Sequence, residues 1–395
     1  MKEQIKKSHL WRSYTKFQND RLLFETNFRP FSTAYKVRRS SRRTVFVMVY
    51  SLYGGGAERV ACTLASGLAD EYRVILIYLS EKGETYPLDP RVETILVPDF
   101  LEPAETNGQM QEKYIRVLKR RLQPVAAISL MFRMNGINVR TASGEAVICS
   151  ERNNPARREP EHMEEIRSIY GQADHVVFQS SVVRGLFDER IRAHSTIIRN
   201  PVRVTCMRQP ETAHRIVNIG RLNPQKNQAM LIRAFAAFAE THPAYTLSFY
   251  GDGELQPALE ALAEELGIRD RVLFHGNVTE IHKAVSDAEI FVLSSDYEGL
   301  SNALLECMMM GFPCISTRCE GSVDVITDRV NGLLTDIGDE AQLTQALSLL
   351  ADDPAFREQL GKQAAVSAEA FRPEKIIQEW SCLIRQCSTE KRQDQ

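Results

Sequence analysis

The sequence predicts an α/β protein built as two doubly wound domains, each a parallel sheet flanked by helices. Three observations carry that expectation. The chain has 395 residues, enough for two hydrophobic cores. From Thr44 onward, short apolar runs alternate with segments whose apolar residues recur at helical spacing, the pattern of βαβ units. That alternation lapses between Asn200 and Ala213, where Pro201 and Pro210 fall, and a domain boundary is expected there. The expected division is a basic extension over 1–43, a first domain over 44–200, a second over 201–370, and a final helix and tail over 371–395.

Composition narrows the class. Hydrophobic content of 43% with 25% charged residues is that of an ordinary globular chain, and no apolar run approaches the ~20 residues of a membrane span. The start MKEQIKKSHLW is basic but lacks the apolar core of a secretory signal. Eight cysteines show neither a CxxC pair nor metal-like spacing against the eight histidines, so reduced thiols, a cytosolic setting and no metal site are expected.

The net charge of −2 hides an asymmetry. Residues 1–43 hold twelve Lys or Arg against three acids, a net +9, and the rest carries 37 basic against 48 acidic side chains. Trp11, Tyr14, Phe17, Phe24, Phe28, Phe31 and Tyr35 interleave with those cations. Such a composition suits an anionic membrane surface. Nucleic acid attracts the same charges but is not the expected partner, and a leader outside the fold is the bland alternative.

The first domain opens with the strand-like run TVFVMVYSL, which ends in three glycines. Val60, Leu64 and Leu68 follow at helical spacing. Gly55 and Gly56 leave room for a ligand at the helix start, although three glycines are more often only a tight turn. Strands are expected at Arg73–Leu79, Thr94–Val97 and Pro124–Leu130, and a helix at Gln111–Leu122 with Lys113, Arg116, Lys119, Arg120 and Arg121 on a solvated basic face. The run Ala146–Pro155 reads as a strand entering a polar turn, with Asn154 as helix cap and Pro155 at the first helical position.

In the second domain a strand at Arg215–Ile219 runs into Gly220 and Arg221. Lys226 precedes a helix carrying Leu231, Phe235 and Phe238. Arg offers a planar fork and Lys a compact charge, so together at a strand end they suit a diphosphate; separately, either is ordinary surface charge. TLSFYGDGEL lacks the glycine spacing of a dinucleotide fingerprint. The central stretch is FVLSSDYEGLSNALLECMMMGFPCIST, read as strand, loop, helix and strand. The helix spans Asn302–Met310, with Gly311 at its C-terminus and Pro313 beyond. Glu298 and Glu306 lie about two helical turns apart and could face one crevice, where carboxylates accept hydroxyl hydrogen bonds. A solvated helix face with two glutamates is the plain alternative.

The stretch EGLSNALLE, with seven residues between its glutamates, resembles the signature of retaining glycosyltransferases of the glycosyltransferase 4 type, which have the GT-B fold: two Rossmann-like domains facing across a cleft. The GGAER loop, the Arg221 and Lys226 pair, VLFHGNV and GSVDVITDRVNGLL fall in the family's order, and the resemblance covers about Thr44–Arg385. SERNNP resembles a run in members that build bacterial capsular or lipid-linked oligosaccharides.

The resemblance implies that 44–200 is an acceptor domain and 201–370 a nucleotide-sugar donor domain, with the last helix returning to the first domain. It places the base near Gly276, Asn277 and Val278, the ribose on Glu306, and the diphosphate near Arg221, Lys226 and the Gly299–Leu300–Ser301 helix start. The hexose falls on Glu298, with Gly55 and Gly56 counted among the donor contacts. Arg133, Asn135, Glu151, Arg152 and Asn153 are the acceptor-side candidates. Many members carry a His after the strand matching Pro124–Leu130, and Arg133 and Asn135 stand there instead. The implied reaction moves a hexose or N-acetylhexosamine, with UDP favoured, onto a glycan such as one on undecaprenyl diphosphate, without cofactor or metal, at the inner face of the cell membrane. A GT-B nucleotide-sugar epimerase and an inactive membrane-docked scaffold are the alternatives; His275 and His282 are poorly placed for an epimerase.

Overall fold

The computed structural model describes residues 41–52, 55–80, 86–97, 104–155, 160–209 and 213–393. The chain divides into two compact units. One is formed by residues up to Glu151 with Glu164–Val177 and Trp380–Gln395, and the other by Arg152–Met163 with Phe178–Glu379.

In the first unit the elements are β1 (Thr44–Ser51), α1 (Gly56–Leu68), β2 (Arg73–Ser80), β3 (Glu93–Leu96), α2 (Ala104–Leu122), β4 (Ala126–Leu130), α3 (Phe132–Arg140), β5 (Ala146–Ser150), α4 (Pro160–Tyr170) and β6 (His175–Phe178). The strands lie in the order β3-β2-β1-β4-β5-β6 and pair in parallel. Nearly every residue of β1, β2, β4 and β5 is buried, because helices cover both faces of a parallel sheet. Phe46, Met48, Ile75 and Ile77 pack against Ile115 and Leu118 of α2, and each such side chain contributes ~1.5–3 kcal/mol on burial. The helix α2 begins seven residues before the expected Gln111, and its Lys119 is buried rather than on a solvated face.

The second unit contains α5 (Ser181–Gly185), α6 (Glu189–Ala193), β7 (Ser195–Ile197), β8 (Arg215–Ile219), α7 (Gln228–Thr241), β9 (Thr246–Tyr250), α8 (Gln256–Glu265), β10 (Val272–Phe274), α9 (Ile281–Val285), β11 (Ile290–Leu293), α10 (Asn302–Met310), β12 (Cys314–Thr317), β13 (Leu333–Thr335), α11 (Glu340–Asp352) and α12 (Pro354–Ala368). Its sheet has the order β10-β9-β8-β11-β12-β13. Successive strand residues divide between its faces. Ile216, Val292 and Ile315 join Phe235 and Leu347 in one cluster, while Val217, Phe291 and Cys314 join Leu304 and Met308 in another. A last helix, α13 (Pro373–Gln393), passes to the first unit at Trp380. There Arg385 meets Glu71 at 2.6 Å and Lys391 meets Asp174 at 2.7 Å.

The helix α10 shows why this stretch folds as it does. Ser301 caps it by accepting from the Leu304 amide, and Leu304, Leu305 and Met308 are wholly buried. Gly311 ends it at φ 85°. The Phe312 amide then reaches Cys307 O at 2.9 Å and the Gly311 amide reaches Met308 O at 3.0 Å, the two bonds of a Schellman motif. A side chain at residue 311 would impose left-handed strain on that stop.

Candidate active site

In an open parallel sheet, ligands bind beyond the strand ends where the strand order reverses. In the second unit that reversal falls between β8 and β11. The loops leaving those strands are laced together there. Asp296 N donates to Gln225 O at 2.9 Å, Asn227 Nδ2 to Asp296 Oδ1 at 2.7 Å, Gln225 Nε2 to Tyr297 O at 2.9 Å and Ser294 Oγ to Lys226 O at 2.8 Å. The lacing brings Lys226 Nζ against Glu298 Oε1 as an ion pair, and Ser295 Oγ donates to the same oxygen at 2.8 Å. The Lys226 stem crosses Gly220, where an added Cβ would come within 3.2 Å of its Cε. Arg221, in the same loop, is exposed. Two cations and one carboxylate from distant parts of the sequence thus share one strand-end loop pair, and such a group can bind and offset an anionic diphosphate.

Glu306 is one turn into α10 and only 4% exposed, while Glu298 is 7% exposed. Both carboxylates are therefore withdrawn from solvent, which removes the plain alternative of a solvated face. Glu306 is tolerated because His282 of α9 meets its Oε2 at 3.2 Å through Nε2, in line with the rule that buried polar groups are hydrogen-bonded. In the sequence His282 stands out only as a poorly placed acid or base. Its partnership spans 24 residues and leaves no local pattern.

Gly299 also proves crowded. A Cβ there would lie 2.0 Å from Gln179 Nε2 and 2.9 Å from Arg152 O, so its glycine is required by packing within the protein whatever ligand follows. Gln179 is wholly buried and was not singled out from the sequence. Leu300 and Ser301 are buried beside it. Arg152 donates to Asn200 Oδ1 at 3.0 Å, and Asn200 in turn donates to Leu300 O at 3.3 Å and Asn302 Oδ1 at 2.7 Å. The acceptor-side candidate Arg152 thereby supports the start of α10. Asn153 accepts from the Asn154 amide at 2.9 Å, and the Asn154 side chain donates to Glu320 Oε1 at 2.6 Å. Glu320 also accepts from the Glu298 amide at 3.3 Å, another contact that sequence did not reveal.

At the β10 end, Gly276 bridges Gly251 through a 2.8 Å backbone bond, Asn277 Nδ2 donates to Asp252 Oδ2 at 2.5 Å, and Val278 is exposed. His275 stacks on Tyr250 with ring centroids 4.5 Å apart and meets Ser248 Oγ at 3.3 Å. Burial and the nearby Arg215 lower its pKa below the ordinary histidine value. These contacts give it a structural part.

In the first unit the strand order reverses between β1 and β4. Gly55 and Gly56 open α1 after β1. Arg133, after β4, is exposed and holds its guanidinium 4.9 Å from the ring centre of Tyr50, the residue before the last of β1. Asn135 is fully buried instead. It accepts from Ser129 Oγ at 2.8 Å and donates to Ser150 O at 3.0 Å and Tyr170 Oη at 3.2 Å. Tyr170 donates to Glu151 Oε2 at 2.6 Å, and burial with that carboxylate beside it holds the Tyr170 pKa well above normal. Among the described residues no group of three or more His, Cys, Asp or Glu side chains is arranged to hold a metal ion, and no helix is long and apolar enough to cross a membrane.

Residues 207–366 match the family described as Glycosyl transferases group 1. The lipopolysaccharide core biosynthesis glycosyltransferase LpsD of Rhizobium meliloti is 36% identical over 177 residues, 45% of this chain and 50% of that protein. The putative glycosyltransferase EpsD of Bacillus subtilis is 34% identical over 164 residues, 42% of this chain and 43% of that protein. The chain thus aligns with half or less of the length of these two relatives. A Campylobacter jejuni N-acetyl-D-galactosaminyltransferase, named for a GalNAc-extended diNAcBac-PP-undecaprenol, is 26% identical over 85% of this chain and 97% of its own. Among solved structures, Anabaena HepE in complex with UDP superimposes with TM-score 0.74 at 15% identity, covering 87% of this chain and 100% of that one. Sucrose-phosphate synthase of Thermosynechococcus elongatus gives TM-score 0.74 at 19% identity over 87% and 99%. The chain has the GT-B fold, with two α/β units and parallel sheets.

Proposed function

We propose that the protein is a retaining glycosyltransferase. It moves a hexose or N-acetylhexosamine from a nucleoside-diphosphate sugar, UDP-linked by preference, to a lipid-linked or surface-polysaccharide glycan. The observation that carries this reading is the cation and carboxylate group at the strand-order reversal of the second unit: Arg221, Lys226 and Glu298, with Glu306 on the helix that follows. The family match over that same unit and the named activities of the relatives support it.

On this reading Arg221 and Lys226 bind the diphosphate and stabilise the charge that grows on it as the glycosidic bond breaks. Glu298 holds Lys226 in place until the donor arrives, then accepts from hexose hydroxyls. Glu306 accepts from the ribose. The leaving phosphate takes the acceptor proton on the face it leaves, so no enzyme nucleophile is named and no metal is expected. The basic extension over 1–43, mostly outside the described residues, is proposed to hold the protein at an anionic inner-membrane surface.

Release of nucleoside diphosphate from UDP-sugars, measured with and without a polyprenyl-diphosphate glycan, tests the reading. Acceptor-dependent release that falls ~10²–10³-fold in Arg221→Ala, the range for losing one transition-state donor, is expected. Full turnover in that variant would refute the site, and sugar isomerisation without release would favour an epimerase. Deleting residues 1–40 is expected to weaken binding to phosphatidylserine vesicles and leave turnover of a soluble acceptor intact.

A further inference from the structure

We infer that His282 is a positioning residue that orients Glu306 for recognition of the nucleotide ribose; the inference rests on the proposed donor site. A carboxylate that is to take hydroxyls must present particular lone pairs, and a glutamate on a helix has rotamers to lose. The structure fixes that choice from one side. His282 and Glu306 are 7% and 4% exposed, and Nε2 lies 3.2 Å from Oε2. The other ring nitrogen decides what Nε2 carries. The Thr205 backbone amide donates to Nδ1 at 3.3 Å, with the Thr205 hydroxyl 3.2 Å away. An amide can only donate, so Nδ1 accepts, and the ring proton of the neutral imidazole sits on Nε2. His282 therefore donates to Glu306 Oε2.

The backbone of 205, the imidazole and the carboxylate form a relay in which each member leaves the next one orientation. Oε2 is turned toward His282, and on the proposed donor site the carboxylate so held is the one that receives the ribose hydroxyls. A ribose, with its 2′- and 3′-hydroxyls, is the ligand class this arrangement suits. Second-rank partners of this kind act through the group they hold, so His282 touches no substrate.

The test compares full-length wild type, His282→Leu and His282→Gln for affinity toward UDP and toward 2′,3′-dideoxy-UDP by calorimetry, with thermal midpoints as a fold control. Wild type is expected to prefer UDP by about tenfold to a hundredfold, the worth of hydrogen bonds to a charged group. His282→Leu is expected to bring that ratio close to one while affinity for the dideoxy analogue holds. Glutamine, which can place an amide donor near the Nε2 position, is expected to restore most of the preference. A preference that survives in His282→Leu, or equal losses toward both nucleotides, would overturn the positioning role alone. Wild type that binds neither nucleotide, or both equally, would overturn the ribose reading of Glu306 and this inference with it.

Discussion

Each unit holds a lysine paired with a buried glutamate, and on the proposed function the two pairs serve different ends. In the first, Lys119 and Glu145 lie 2.6 Å apart with side chains 0% and 1% exposed, and Lys119 also donates to Asn138 O at 3.0 Å and Asn138 Oδ1 at 2.7 Å. Its three donors are engaged by protein, so the pair is part of the scaffold. Burial lowers the Lys119 pKa, opposed by Glu145. In the second, the Lys226 and Glu298 side chains keep 16% and 9% of their exposure at a sheet's strand-order reversal. On the proposed function a donor-site cation must be held but not saturated, and loop placement with partial exposure sets Lys226 apart from Lys119.

The comparison can be broken most forcefully at Lys119. Lys119→Met leaves Glu145 buried without its counter-charge, and a loss of ~3–5 kcal/mol is expected, read from urea unfolding. Adding Glu145→Gln should return only part, because Asn138 still lacks its donor; a single substitution within 1 kcal/mol of wild type would show the pair to be dispensable. For Lys226→Met the losses exchange places: turnover falls ~10²–10³-fold while the unfolding midpoint moves little. Glu306→Ala is expected to weaken nucleotide-sugar binding by about tenfold to a hundredfold, and unchanged affinity in titration would remove it from the site.

The smallest effect concerns pH. The folded state raises the Tyr170 pKa, so the phenol keeps its proton where the unfolded chain loses it. Its contribution to stability is full below the unfolded value near 10 and is lost as pH rises above it, by ~1.4 kcal/mol per pH unit. Tyr170→Phe should be less stable at pH 7, for want of its bond to Glu151, yet show a shallower alkaline decline. Parallel declines in the two proteins would contradict this.

What was legible in the sequence was local. Strands β8 and β9 follow from the β-branched and aromatic residues that dominate RIVNI and TLSFY, and α10 ends where Gly311 and Pro313 place its end. The burial of Lys119 does have a sequence signal: it stands four residues after Ile115 and one after Leu118, both buried, so helical spacing carries it onto the covered face. Asn135 and Glu151 were picked from strand-end position, which does not tell a buried hydrogen-bond network from a ligand contact. The pairing of His282 with Glu306, the lacing of Gln225 and Asn227 to the Glu298 loop, and the support of Glu298 by Glu320 all join distant segments. Spacing encodes none of them.

The central claim is that the second unit's strand-end group binds a nucleoside diphosphate without a metal. Thermal unfolding of the full-length protein with UDP, GDP, ADP and CMP, each with and without EDTA, tests it most directly, since a ligand selective for the native state raises the midpoint. The account predicts a rise with one nucleoside diphosphate, UDP first, that EDTA leaves unchanged and that Arg221→Ala diminishes. No rise with any nucleotide, or a rise abolished by EDTA, would contradict it.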